Sequence, residues 1–284
     1  MIIDAHVHIW DLARSGYEWL KNADGLLQQT YSLEQLEASR VAAGVDAGLL
    51  VQADNTLEDT ALMIEAANSH DWIKGVVGWL PLTSSSKTEQ LLQSVFSTEK
   101  YFKGVRHLIH DEADDEWLLQ PEVIKSLKLV AAHHLPFDVV GVKVSHIKTA
   151  LRVAELVPDL KMVFDHLNQP PVKSGDRFGE WGQYMKLAAQ HKNFYVKISG
   201  LGITAGKEKF SAAVIKPYID FILTGFGAPR CFCGGDWPVS LLASGYVEAW
   251  DVYKQVIKEL VGDEYQRRLI FSENAISFYN LDRV

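Results

Sequence analysis

Cysteine is almost missing from this chain of 284 residues, which has only Cys231 and Cys233. Residues two apart on a strand point the same way with poor disulfide geometry, so no disulfide framework is available. An uninterrupted apolar run of about 18 residues is also missing, which excludes a membrane-spanning helix. No basic segment with an apolar core precedes Ile2-Ile3-Asp4, so a soluble, cytoplasmic protein is expected. Basic residues are never gathered into a block: 28 Lys+Arg stand against 36 Asp+Glu, for a formal net charge of -8. The electrostatic footprint of a nucleic-acid or anionic-membrane binder is therefore absent. A Gly-rich phosphate turn after the first apolar run is lacking too; His6-Val7-His8-Ile9-Trp10-Asp11 stands there, which argues against a doubly wound dinucleotide-binding sheet. What remains is small-molecule chemistry on a globular chain long enough to bury roughly three quarters of its unfolded surface.

Eight short runs rich in β-branched or apolar residues punctuate the sequence: Ile2–His8, Val45–Ala53, Ile73–Leu80, Lys103–Ile109, Pro136–Val140, Lys161–His166, Asn193–Ser199 and Arg230–Asp236. Helical periodicity follows each, over Ser32–Ala43, Leu57–Ser69, Thr88–Ser97, Pro121–His133, His146–Val157, Trp181–Gln190, Lys209–Leu223 and Tyr246–Leu260. Alternating strands and helices imply a parallel sheet buried on both faces. Eight units in a chain near the barrel's typical ~250 residues predict an α/β fold, a single (β/α)8 TIM barrel over residues 1–284. Asn168–Gly182, with Pro170, Pro171, Gly175, Gly179 and Gly182, reads as a long active-site loop after the sixth strand, and Ser84-Ser85-Ser86 as a turn and helix cap.

Barrel active sites are built at the carboxyl ends of the strands, so those ends carry the chemistry. On the first strand Asp4, His6 and His8 share one face by the period of two, with Ile3, Ala5, Val7 and Ile9 facing the helices. Two imidazoles at a strand end suit one Zn2+-like ion at about 2.0–2.1 Å, although a His can also simply hydrogen-bond inside a barrel. Asp165-His166 closes the sixth run. The eighth run ends Cys231-Phe232-Cys233-Gly234-Gly235-Asp236-Trp237-Pro238, where an inward Asp236 leaves both cysteines facing the helices. A carboxylate beside glycines that let a ligand approach can take a proton from water or bind a metal; the alternative is a turn residue before Pro238. Arg106 lies on the face opposite Val105 and His107 and needs a partner, either a substrate oxygen or a structural carboxylate. Lys197 is expected to point into the barrel mouth, to polarise a carbonyl or pair with Asp236, or to be merely solvated. Trp10 and Trp237 flank these groups as candidate pocket walls, and His110 and His146 lie just beyond strand ends. His70, His133 and His191 precede strands, on the stability face, and carry no expected chemistry.

Asp4-Ala5-His6-Val7-His8, Gly104-Val105-Arg106-His107, Asp165-His166 followed by Pro170-Pro171, Lys197-Ile198-Ser199-Gly200-Leu201 and Gly234-Gly235-Asp236-Trp237-Pro238 occur in order along the whole chain. Together they resemble the amidohydrolase superfamily, and within it the sugar-lactonase branch of L-fuconolactonase and L-rhamnonolactonase-like enzymes, relatives of the 2-pyrone-4,6-dicarboxylate lactonases. The resemblance implies a hydrolase that opens a cyclic ester, an aldonolactone in this branch. It places His6, His8 and His166 as metal ligands or carbonyl polarisers and Asp236 as the base that activates water and as a further ligand. Arg106 is implied as a substrate contact; Lys197, Trp10, Trp237 and His110 are further substrate-binding candidates from the reading of the residues themselves. The implied cofactor is one divalent metal, Zn2+ or Mn2+, while the pyrone-dicarboxylate branch offers a metal-free precedent. Departures from the pattern are informative. Strand four offers Arg106 and His107 where two-metal relatives carry a bridging Lys or Glu, which argues against a binuclear site. Strand five ends without a His, which argues against the metal-dependent decarboxylases of the superfamily, the alternative enzyme reading. Leu167-Asn168-Gln169-Pro170 replaces the usual Gly-Lys-Pro or Ala-Lys-Pro, and His110 and His146 stand where glutamine-like residues are expected. A catalytically silent barrel that binds sugar acids is the reading from another class.

Overall fold

The computed structural model describes residues 1–174, 177–206 and 210–282. Eight parallel strands follow one another around a single sheet in chain order: β1 Ile3–Val7, β2 Ala47–Val51, β3 Ile73–Gly78, β4 Phe102–His107, β5 Phe137–Val139, β6 Met162–Phe164, β7 Phe194–Ile198 and β8 Cys231–Cys233. The residues just past β8 close the ring onto the end of β1. The His8 amide donates to the Trp237 carbonyl at 2.7 Å, and the Asp236 amide to the His6 carbonyl at 2.8 Å. The expected (β/α)8 barrel is the observed fold.

Between strands run α1 Leu33–Ala42, α2 Leu57–Ser69, α3 Ser85–Ser94, α4 Pro121–Ala132, α5 Val144–Leu156, α6 Gly179–Ala189, α7 Leu201–Ala205, α8 Ala212–Phe226 and α9 Tyr246–Leu260, with α10 Glu264–Arg268 and α11 Asn274–Tyr279 after them. Caps set several starts. Ser32 and Gln35 form a reciprocal capping box at α1, and the Thr56 hydroxyl accepts the Asp59 amide at α2. The serine run opens α3, with Ser84 at its N-cap, rather than preceding a helix from Thr88. Because α6 already begins at Gly179, the loop expected over Asn168–Gly182 is shorter than read. Gly175 of that loop, and Lys209 at the expected start of the seventh helix, lie outside the described residues. The small helices α7, α10 and α11 carry too few residues for a periodic signal. Among the described residues, no helix is long and apolar enough to cross a membrane.

Two apolar cores flank the sheet. The outer one fills the space between strands and helices. The inner one joins Ile3, Ala5, Leu49, Val163 and Phe232 to Phe278 and Tyr279 of α11, which stoppers the lower end of the barrel. Ile3 and Ala5 therefore face inward and Asp4 outward, opposite to the simple alternation read from sequence. The cause is a register shift between Asp4 and Val7 where β1 pairs with β2, which lets both the Ile3–Ala5 set and the His6–His8 set face the interior. Asp4 serves the fold. Its carboxylate accepts the Tyr246 hydroxyl of α9 at 2.5 Å and the amides of Gly235 and His6 at 2.8 and 2.9 Å. Cys231 and Cys233 sit in the outer core, as expected, and Phe232 in the inner one. The neighbouring glycines allow close backbone approach rather than ligand entry: a Cβ on Gly234 would stand 2.5 Å from the His6 Cβ, and one on Gly235 2.5 Å from Asp4 Oδ2.

Candidate active site

At the carboxyl ends of the strands, β1 supplies His6 and His8, β4 Arg106, β7 Lys197 and Ser199, and the segments leaving β6 and β8 supply Asp165-His166 and Asp236. His166 leaves β6 through an unusual turn. It and the next three residues, Leu167, Asn168 and Gln169, all have positive φ, at 53°, 54°, 51° and 47°. A left-handed conformation costs a residue with a Cβ about 1–2 kcal/mol, so such a run persists only where the surroundings hold it. The clamps are visible: Trp181 Nε1 donates to the Leu167 carbonyl at 2.8 Å, and Asn168 Nδ2 to the Lys143 carbonyl at 3.2 Å. Asp236 is also left-handed, at φ 55°. Strain thus falls on two of the chemical residues.

Three imidazoles surround one carboxylate oxygen. Asp236 Oδ1 lies 3.5 Å from His8 Nε2 and 3.9 Å from Nε2 of both His6 and His166. His6 Nε2 and His8 Nε2 are 3.1 Å apart. His8 donates its Nδ1–H to the Val51 carbonyl at 2.7 Å, so its Nε2 lone pair faces the cluster. His166 Nδ1 is similarly engaged, with Ser199 Oγ at 2.8 Å. A tetrahedral shell with bonds of about 2.0–2.1 Å has edges of about 3.3–3.4 Å, close to these separations. Among the described residues, His6, His166 and Asp236 bring ligand atoms within 4.8 Å of one another and form a group able to hold a metal ion. His8 completes the ring around Asp236.

Beneath this cluster lies a buried ionic layer that sequence reading only half anticipated. Asp165 is 3.2 Å from Arg106 Nη1, 3.1 Å from Lys197 Nζ and 3.4 Å from His6 Nδ1. Lys197 also meets Asp138 of β5 at 2.5 Å, and Asp138 accepts the Tyr279 hydroxyl from α11 at 2.8 Å. Burial alone would raise the Asp165 carboxyl, but Lys197, His6 and Arg106 together hold it well below the ordinary carboxylate range. Burial pushes His6 well below its usual value, aided by Lys197 and His166 and opposed by Asp165, so the imidazole is neutral. Burial raises Asp138 to about 6 against the pull of Lys197.

Lys197 therefore does not reach the barrel mouth or pair with Asp236. It is fully buried under His6, held between two carboxylates. Trp10 and Trp237 are also displaced from their expected role. Beyond the end of β1 the chain pairs with Tyr31 and Trp10 enters the outer core, where its Nε1 donates to the Gln29 carbonyl at 2.6 Å, and Trp237 packs against Tyr31. The pocket over the cluster, about 670 Å3 with its open mouth, is lined by His8, Arg106, His110, His166 and Asp236. Trp19 supplies the aromatic wall instead. It sits in a short 3-10 turn, Glu18–Asn22, between β1 and α1, too short to be marked by periodicity, and its Nε1 is committed to the Ala53 carbonyl at 2.7 Å. His146 stays outside, with its Nδ1 accepting the Val142 amide at 3.1 Å.

Comparison with known proteins agrees with the barrel fold. The amidohydrolase family profile matches residues 3–281. The sequence is 33% identical over 285 residues to L-fucono-1,5-lactonase of Burkholderia ambifaria, covering 99% of this chain and 96% of that protein. It is 25% identical over 227 residues to L-rhamnono-gamma-lactonase of Scheffersomyces stipitis, covering 71% of this chain and 67% of that one. The crystal structure of an amidohydrolase from Burkholderia multivorans with bound zinc superimposes with a TM-score of 0.90 at 24% identity, covering 99% of this chain and 100% of that one. With a profile match spanning nearly its whole length and a full-length lactonase relative, this chain belongs to the amidohydrolase family and is an enzyme of the hydrolase class.

Proposed function

We propose that this enzyme hydrolyses a sugar-acid lactone, with Asp236 as the base that activates water. The observation that carries the reading is the placement of the Asp236 carboxylate. Oδ1 faces the three imidazoles, while Oδ2 lies on the Gly200 side, where an added Cβ would stand 3.1 Å from it, and both residues line the pocket. Lactonase relatives matching nearly the whole chain support the cyclic-ester substrate.

The water oxygen bonds to the lactone carbonyl carbon as Asp236 takes its proton. Collapse of the tetrahedral adduct breaks the ring C–O bond, and Asp236 returns the proton to the leaving alkoxide. Arg106 lines the pocket and its buried Nε–H has no protein partner, which leaves the guanidinium donor capacity for a substrate oxygen that gains charge. Its Nη1 is meanwhile held by Asp165 at 3.2 Å, so the guanidinium is fixed before substrate arrives. His6, His8, His166 and Asp236 would hold one divalent ion, Zn2+ by the nitrogen-rich donor set and Mn2+ as the alternative. Such an ion supplies Lewis acidity toward a carbonyl and eases ionisation of water.

The test is a pH-indicator screen of aldono-1,4- and 1,5-lactones, with and without added Zn2+ or Mn2+. Acid release from at least one lactone is expected. Release from none, with either metal present, rejects the reading.

A further inference from the structure

We infer that His110 reads a ring hydroxyl of the substrate and thereby sets which lactone the pocket accepts. The inference rests on the lactonase reading. His110 sits in a single turn, Ile109–Asp111, directly after β4. Arg106 points inward, His107 outward, and the turn then brings His110 back to the pocket wall.

That turn is rigidly held. The His107 ring stacks on Trp117 with centroids 3.9 Å apart. Its Nδ1 accepts the Trp79 indole N–H at 3.0 Å, and its Nε2 donates to Glu112 at 2.7 Å. The Leu108 amide donates to Asn55 Oδ1 at 2.9 Å, and the Asp111 amide to the Leu108 carbonyl at 3.1 Å. With both flanks fixed, the imidazole of His110 is presented rather than free to search.

Its Nδ1 makes no hydrogen bond of ordinary geometry and the Val140 backbone is only a weak partner of the ring, so the imidazole keeps bonding capacity for a ligand in the pocket. Burial first, and the nearby Arg106 cation, outweigh Asp111 and lower His110 to about 4, so the ring is neutral in use. A hydroxyl suits a neutral imidazole nitrogen in either tautomer, because it can donate or accept. A carboxylate would instead seek Arg106. Most of the remaining wall is apolar, including Leu108, Val140 and Ile203, and the Trp19 N–H is already bonded. Outside the cluster of His8, His166 and Asp236, Gln169 is a second polar side chain in the lining. Sites built to bond a substrate hydroxyl reject analogues that lack it, because the protein group is left unpaired.

The experiment measures kcat/KM for wild type, His110→Ala and His110→Gln on an aldonolactone that wild type hydrolyses and on analogues each lacking one ring hydroxyl. In wild type, one deoxy analogue is expected to fall by about 10- to 100-fold. In His110→Ala the parent falls by a similar factor while that analogue does not, so discrimination shrinks to within about threefold; His110→Gln, which keeps a donor and acceptor, restores part of it. Uniform loss on all lactones with the deoxy preference intact, in whichever variant folds, overturns the role of His110 alone. A wild type that hydrolyses no lactone overturns the lactonase reading and this inference with it.

Discussion

The backbone amide of Asp236 donates to the carbonyl of His6 at 2.8 Å, so the proposed base and an imidazole of the cluster meet across the joint that closes the barrel. One residue further on, the Trp237 carbonyl accepts the His8 amide, which places both histidines and the aspartate in one short piece of pairing. Position is thus set by the scaffold rather than by a mobile loop, and a side-chain change at Asp236 leaves the joint in place.

Asp236→Asn is therefore expected to fold normally and lose activity. The amide keeps the shape and the backbone bond but cannot take a proton, and loss of a positioned base costs about 10²- to 10⁴-fold. Acid release by wild type and variant, with melting curves as the check on folding, decides the point. Equal rates would remove Asp236 from the role of base.

Lys197→Met separates the buried ionic layer from the pocket. Taking away the ammonium leaves Asp138 without a cationic partner and Asp165 with Arg106 alone, a loss expected to destabilise by about 3–5 kcal/mol. Denaturant midpoints measure it. A lysine at the barrel mouth would behave in the opposite way, with stability unchanged and KM raised.

The barrel itself was legible because each strand is a short apolar run and each helix a periodic one, so all eight strands lie where the sequence places them. The convergence of His6, His8, His166 and Asp236 was legible for the same reason, since a barrel converts strand order into proximity. Two kinds of residue escaped. Asp4 and Lys197 follow the period of two on paper, but a register shift in β1 turns the first outward, and the carboxylates of β5 and β6 capture the second below the pocket. Trp19 comes from a segment with no regular period, and only the folded path from β1 to α1 brings it over the site. Asp138 had no motif around it; its partner Tyr279 lies 141 residues away.

Metal content tests the ligand set directly. Purified wild type is expected to carry about one equivalent of a divalent ion by mass spectrometry, and His6→Ala and His166→Ala much less, because each removes one donor from the proposed shell, in which His6, His166 and Asp236 bring ligand atoms within 4.8 Å of one another. Dialysis against a chelator should remove both the ion and the activity, and Zn2+ or Mn2+ should restore them. Wild type that hydrolyses lactones while holding no metal would place the imidazoles as carbonyl polarisers.

Asp59 gives the fold a pH dependence separate from the active site. Its carboxylate is fully buried at the start of α2, accepting the Tyr17 hydroxyl at 2.8 Å and the Ala53 amide at 2.9 Å. Burial outweighs those bonds and raises the group from 3.8 to about 7. The folded protein thus holds this proton more tightly than the unfolded chain does. Its contribution to stability is complete below about pH 4 and is lost as pH rises through about 7, by roughly 4 kcal/mol at most. Asp4 and Asp138, both raised to about 6, slope the same way, so the wild-type curve alone does not isolate Asp59. Asp59→Asn does. Its stability relative to wild type, from urea midpoints between about pH 4.5 and 7.5, should rise with pH. A difference that stays flat, or falls as pH rises, means that the buried carboxylate is already ionised in the acid range.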